Sequence, residues 1–261
     1  MALKDILVDT KHFVATITIN RPKALNALTI DLRHQLGLLI EELNKSASVR
    51  VIILTGAGER AFSAGLDLKE LSKDEDTLKS IYDRKRFADP VESIRNLTKP
   101  IICAVNGVAI TGGFELAINC DIIVGSRNAA FADTHSLVGV LPAWGLSQKL
   151  SELIGPSRAK ELSLSGRFIY AEEAFSWGLI NSIQEPENLL DYVFTIAKEI
   201  AKNDLKFISE YKKLIDQGND LRWKESIALE YKKSKDWNLK LKPEVLARKV
   251  NKFFQNQKNK K

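Results

Sequence analysis

The chain has 261 residues, 44% of them hydrophobic and 28% charged, which excludes a disordered, fibrous or collagen-like polymer and suits one large globular domain. Its longest apolar runs, such as residues 51–54, are far shorter than the roughly 20 residues a helix needs to cross a bilayer. The net charge of +6 excludes a strongly acidic surface and gives a mild preference for anionic partners.

Much of the positive excess gathers late in the chain, at Lys232, Lys233, Lys235, Lys240, Lys242, Arg248, Lys249, Lys252, Lys258, Lys260 and Lys261. A solvated helix face and basic tail explain it; attraction to phosphorylated substrates or to nucleic acid are the sharper readings. Residues 1–8 carry Lys4 and Asp5 and lack the apolar centre of a secretory signal. The final residues are not the Ser-Lys-Leu peroxisomal address, so a cytoplasmic location is expected. Cys103 and Cys120 stand alone in apolar stretches and read as reduced core residues, not as metal ligands or nucleophiles.

In chain order, Val14–Ile19 alternates and is β-branched, which predicts a strand. Asn20-Arg-Pro22 ends it. Thr29 opens a helix with Leu32, Leu36, Leu39, Ile40 and Leu43 on one face. Residues 51–55 form an apolar strand buried on both faces, left through Gly56-Ala-Gly58. A loop over 61–71 leads into a helix, and 77–97 has a helical pattern. After Pro100 comes a second buried strand, Ile101–Val105. A loop over 106–113 and a helix through Glu115 to Ile118 follow. Residues 122–124 and Ala130–Ala132 are short strands. From Leu146 onward the pattern is almost wholly helical, with turns at Gly155-Pro156, Gly166 and Gly178. Strand, loop and helix repeat in the first half and helices fill the second, so the fold class is α/β with a helical C-terminal region. The expected division is a core over 1–200 and a helical region over 201–261.

Two loops of similar design follow the two buried strands. One is Ala61-Phe-Ser-Ala-Gly-Leu-Asp-Leu68; the other is Asn106-Gly-Val-Ala-Ile-Thr-Gly-Gly-Phe-Glu-Leu116. Glycine permits unusual dihedrals and close ligand approach. Residues entering a helix have N–H groups without intrahelical partners, and these favour developing negative charge. Two such donors converging on one point would make an oxyanion hole, although glycine after a strand is often only a turn. The second loop is neither a dinucleotide fingerprint nor a phosphate loop.

Asn20-Arg-Pro-Lys-Ala-Leu-Asn-Ala27 and these two loops resemble, in order and spacing, the three signature segments of the enoyl-CoA hydratase/isomerase (crotonase) family. Cys120-Asp-Ile-Ile123, Phe131-Ala-Asp133 and Gly178-Leu-Ile-Asn181 resemble it too. The likeness covers roughly residues 5 to 255. It implies a spiral of repeated ββα units and a C-terminal helical region that assembles homotrimers or hexamers. It further implies a lyase of fatty-acid metabolism acting on an acyl-CoA thioester, with no cofactor beyond the CoA of the substrate, no metal and no membrane. By the same resemblance, the N–H groups of Leu66 and Gly112 bind the thioester oxygen. Lys23, Ala24, Leu25, Ala64, Leu66, Asp67, Leu68, Lys69 and Gly112 surround the CoA ester, with Lys69 near its nucleotide part. Glu115 matches one of the two glutamates that handle the water and its proton.

The second glutamate is absent: Phe131-Ala-Asp-Thr-His-Ser-Leu-Val-Gly-Val-Leu-Pro142 places His135 there. An imidazole titrating near neutrality can share acid–base work, with Asp133 placed to orient it; a polar pocket wall is the other reading. Thr111 stands where the family has a glycine, and Trp144 enters a segment usually richer in glycine, as a core aromatic or as a wall narrowing the acyl pocket. Glu115 in a first helical turn also suits the helix dipole, while Asp67 reads as an N-cap for Leu68–Leu71. Hydration of a 2-enoyl-CoA is the leading expectation. Double-bond isomerisation and acyl-CoA decarboxylation are alternatives in the same site. An RNA-binding or non-catalytic homologue is the alternative of another class, disfavoured because no aromatic stacking platform accompanies the basic tail.

Overall fold

The computed structural model describes residues 3–79, 82–83 and 86–258. They fall into two compact units, 1–209 and 210–261.

The first unit begins with β1 (Ile6–Lys11) and β2 (Val14–Ile19), an antiparallel hairpin. Helix α1 (Ile30–Lys45) follows, its N-cap Thr29 accepting from the Leu32 N–H, so the capping oxygen begins the helix where the apolar face starts. Strand β3 (Val51–Gly56) is buried along its whole length. Next come β4 (Ala61–Ser63), α2 (Leu68–Leu71), α3 (Glu75–Lys79) and α4 (Pro90–Arg95). Strand β5 (Ile101–Val105), β6 (Val108–Ile110) and α5 (Gly112–Ile118) repeat the two-strand-and-helix plan, as do β7 (Ile122–Ser126), β8 (Ala130–Ala132) and α6 (His135–Val138). Helices α7 (Leu146–Ile154) and α8 (Pro156–Ser165), strand β9 (Phe168–Tyr170), α9 (Ala171–Ser176), β10 (Ser182–Gln184) and α10 (Leu189–Ala201) complete it. Helix α11 (Leu205–Asn219) crosses the division; α12 (Trp223–Asn238) and α13 (Pro243–Lys258) belong to the second unit.

Consecutive strands of each repeat enter different sheets. One sheet runs β1-β2-β3-β5-β7-β10, parallel except at the hairpin; the other runs β4-β6-β8-β9, antiparallel only at β9. Apolar residues of β3 therefore serve two cores: Ile52 and Leu54 join the larger cluster with Leu36, Phe62, Phe114 and Phe131, while Val51 and Ile53 pack with Leu189, Val193 and Ala197 of α10. Burial on both faces explains the uninterrupted apolar run. Cys103 on β5 and Cys120 just after α5 are buried free thiols.

Several expectations need correction. The helical pattern over 77–97 is not one helix: Asp89 caps a new helix at Pro90 through the Val91 and Glu92 N–H groups, and residues 80, 81, 84 and 85 of that span lie outside the described residues. The loop over 61–71 opens with β4, and the loop over 106–113 contains β6. The late segment contains β9 and β10, and β1 precedes the first expected strand.

Candidate active site

The two loops meet back to back. Leu66 bridges Leu28 as a one-residue parallel pair: the Leu28 N–H donates to the Gly65 carbonyl at 2.7 Å and the Asp67 N–H to the Leu28 carbonyl at 2.9 Å. In such a pair the bridging residue's own N–H faces the opposite side. Gly112 is the first residue of α5, where no intrahelical acceptor exists for its N–H. Among the described residues neither amide donates to a protein acceptor. The contact is close: a Cβ on Gly65 would lie 2.8 Å from the Gly112 nitrogen, which leaves it no room, while one on Gly112 would lie a tight 3.4 Å from the Leu66 nitrogen.

The turn before α1 supports this junction. Leu25 and Asn26 both adopt positive φ, 51° and 55°. Asn26 is fully buried; its Nδ2 donates to the Ala57 and Ala61 carbonyls and its Oδ1 accepts from the Arg21 N–H. The Ala64 N–H donates to the Leu25 carbonyl. Thr111 also has positive φ, 51°, uncommon for a β-branched residue. Its Oγ1 lies 2.5 Å from the Thr134 hydroxyl.

A cavity of about 350 Å³ opens at the junction, lined by Ala64, Leu66, Leu68, Leu71, Ser72, Thr111, Gly112, Glu115, Thr134, His135, Val138 and Val140. It brings together Ala64, Leu66, Leu68, Gly112, Glu115 and His135 of the expected site. Lys23, Ala24, Leu25, Asp67 and Lys69 lie outside its lining. Lys23 and Ala24 form a 3-10 turn. Asp67 caps α2 as expected, accepting from the Glu70 N–H, and pairs with Arg21 at 3.1 Å.

Glu115 is buried on the first turns of α5. Its Oε1 accepts from the Trp144 N–H at 2.8 Å and, more loosely, from the Leu146 N–H at 3.4 Å. Its Oε2 lies 3.9 Å from His135 Nε2. Burial pushes the Glu115 carboxyl above its ordinary value, only partly offset by the Trp144 N–H and by His135. His135 Nδ1 sits 2.7 Å from Asp133 Oδ1, which also accepts the His135 N–H at 3.2 Å. For Asp133, burial acts upward, but hydrogen bonds from the His135 ring, Ser163 and the His135 N–H prevail and hold it below the usual carboxylate range. Among the described residues, no group of three His, Cys, Asp or Glu side chains is arranged to hold a metal ion.

Sequence reasoning missed the Trp144 N–H, because a backbone donor carries no residue-type signature. It also missed the Thr111–Thr134 hydroxyl pair. Trp144 itself is a buried aromatic, outside the cavity lining.

Two stacked sheets built from repeated ββα units, with a cavity at the junction of two glycine loops, define a crotonase-like fold. The chain belongs to the enoyl-CoA hydratase/isomerase family, whose sequence pattern matches residues 9–245. The Arabidopsis thaliana protein named probable enoyl-CoA hydratase 1, peroxisomal, is 40% identical over 220 residues, 83% of this chain and 80% of that protein. A short-chain-enoyl-CoA hydratase of Clostridium acetobutylicum is 38% identical over 222 residues, 84% of this chain and 83% of that one. The crystal structure of an enoyl-CoA hydratase from Bacillus anthracis superposes with a TM-score of 0.87 at 31% identity, covering 95% of this chain and 96% of the other.

Proposed function

We propose that this chain adds water across the double bond of a 2-enoyl-CoA. The observation that carries the reading is the pair formed by Glu115 Oε2 and His135 Nε2, 3.9 Å apart in the cavity wall beside Gly112. A separation of that size suits one water bound by both groups. In the tautomer that donates Nδ1–H to Asp133, the imidazole presents Nε2 as an acceptor. A water between Glu115 and His135 then donates one O–H to each and keeps a lone pair for C3 of the enoyl thioester.

Glu115 removes a proton as the oxygen bonds to C3. The double-bond electrons shift to C2 and the thioester oxygen, forming an enolate, and the proton on Glu115 passes to C2. The Leu66 and Gly112 N–H groups are the proposed donors to the enolate oxygen, each contributing about 3–4 kcal/mol of transition-state stabilisation. Their position at the loop junction, with the Leu66 bridge occupied by its neighbours, supports that role. The chemistry calls for a base, a partner and two donors; CoA enters as part of the substrate. Lys23, Ala24, Leu25, Ala64, Leu66, Asp67, Leu68, Lys69 and Gly112 remain the proposed contacts of the acyl-CoA. The helical C-terminal region is the proposed assembly element of a homotrimer or hexamer, supported by the exposed Trp223, Tyr231 and Leu239.

Incubating the purified protein with crotonyl-CoA and longer 2-enoyl-CoA esters, while following loss of the enoyl absorbance, tests the proposal. Steady loss that slows by about 10²-fold or more in E115Q is the expected result. No turnover at any chain length overturns it.

A further inference from the structure

Every polar group of Trp144 is engaged. Its indole Nε1 donates to Asp89 Oδ2 at 2.8 Å. Its N–H donates to Glu115 Oε1 at 2.8 Å. Its carbonyl accepts from Arg95 Nη2 at 2.6 Å and Asn119 Nδ2 at 3.0 Å. The ring is buried, with the Arg33 guanidinium 5.8 Å from its centre, inside the cation–π range. The ring also abuts the loop that carries Gly112: a Cβ on Gly112 would meet Trp144 Cζ3 at 3.3 Å. Asp89 is equally fixed, because its other oxygen caps α4 through the Val91 and Glu92 N–H groups.

This is more anchoring than a core aromatic needs. Packing alone would place the ring, but it would not determine where the backbone N–H points. That direction matters, since the donated bond occupies Glu115 Oε1 and leaves Oε2 to face His135. We propose that Trp144 is a positioning residue for Glu115, fixed for that task by the hydrogen bond from its indole to Asp89. The inference rests on the acid–base role given to Glu115 above.

Two variants separate this from simple packing. W144F keeps an aromatic filler and removes the indole N–H. D89N leaves the ring intact; an amide has one oxygen, which can serve the α4 cap or the indole but not both. W177F, at a tryptophan whose ring centre lies 5.1 Å from the Arg158 guanidinium and 5.2 Å from that of Arg167, controls for general loss of an aromatic. The first readout needs no turnover: NMR titration of the 13C-labelled Glu115 carboxyl in the ligand-free protein, assigned with E115Q. In both W144F and D89N its midpoint moves upward as the Trp144 N–H bond loosens, while W177F matches the parent. The second readout is the split between kcat and KM on crotonyl-CoA. kcat falls by about tenfold to a hundredfold, the range expected for a mispositioned catalytic group, with KM within about twofold.

If W144F loses its near-UV circular dichroism, D89N alone decides. Unchanged Glu115 titration in the folded variants overturns the proposal. A parent protein that shows the titration shift between variants yet hydrates no enoyl-CoA instead overturns the hydration reading and leaves the positioning intact.

Discussion

The two carboxyls nearest His135 shift in opposite directions: burial raises both, but hydrogen bonds outweigh it only at Asp133. Glu115 holds its proton more tightly in the folded chain than in the unfolded one. As pH rises through the ordinary carboxylate range toward that raised value, ionising Glu115 costs folded-state stability, which is lost relative to acid pH. E115Q removes that cost and keeps an oxygen for the Trp144 N–H. We expect E115Q to melt at a higher temperature than the parent at neutral pH, with the gap closing in acid, by calorimetry across a pH series. Its kcat should fall by about 10²- to 10⁴-fold, the usual worth of a general base. The acid limb of kcat/KM in the parent should lie above the usual glutamate value of about 4.3. Asp133 behaves inversely: its lowered folded value stabilises the protein at neutral pH, and this is lost as pH falls through it. D133N is therefore expected to melt lower at neutral pH, with the difference shrinking in acid. It should also lose at least about tenfold in kcat, since the neutral amide no longer holds the imidazole as a carboxylate does and can offer its NH2 to Nδ1, which favours the wrong tautomer.

The elements that place the site depend on close backbone contact. Gly113, the second residue of α5, would put a Cβ 2.1 Å from the Ser63 carbonyl oxygen and 2.7 Å from its carbon. G113A must displace β4 or α5, and we expect a loss of about 1–3 kcal/mol in urea unfolding together with most of the activity. This is also where the sequence is hardest to read. Strands β2, β3, β5 and β7 are visible because β-branched and apolar residues run through them. Strands β4, β6 and β9 are three residues long, and β4 and β6 lie inside glycine-flanked segments that read as loops; β8, equally short, shows through its apolar Ala-Phe-Ala run. They exist because they pair with neighbours distant in sequence. Strand β1 is an edge with one buried residue, so its alternation is weak. Glu115, His135 and the two glycine loops could be named from sequence by resemblance. The Trp144 N–H and the Asp89 anchor could not, because each joins residues that only folding brings together: 29 positions separate Trp144 from Glu115 and 55 separate it from Asp89.

Across the whole molecule, the candidate site lies in the first unit, and assembly is the role proposed for the C-terminal helices. If the second unit carries self-association, sedimentation velocity should give a mass that is a multiple of three chains. A species of one chain mass at all concentrations would remove the assembly role. Cys103 and Cys120 bracket the segment that carries Gly112 and Glu115. Both thiols are shut away from solvent, and burial together with its Cys120 neighbour holds Cys103 well above the ordinary thiol value. Alkylation by iodoacetamide should therefore wait for that segment to open. The native protein thus contains its own reporter of opening at the candidate site: modification rates with and without an acyl-CoA would measure whether a bound ester holds the segment closed.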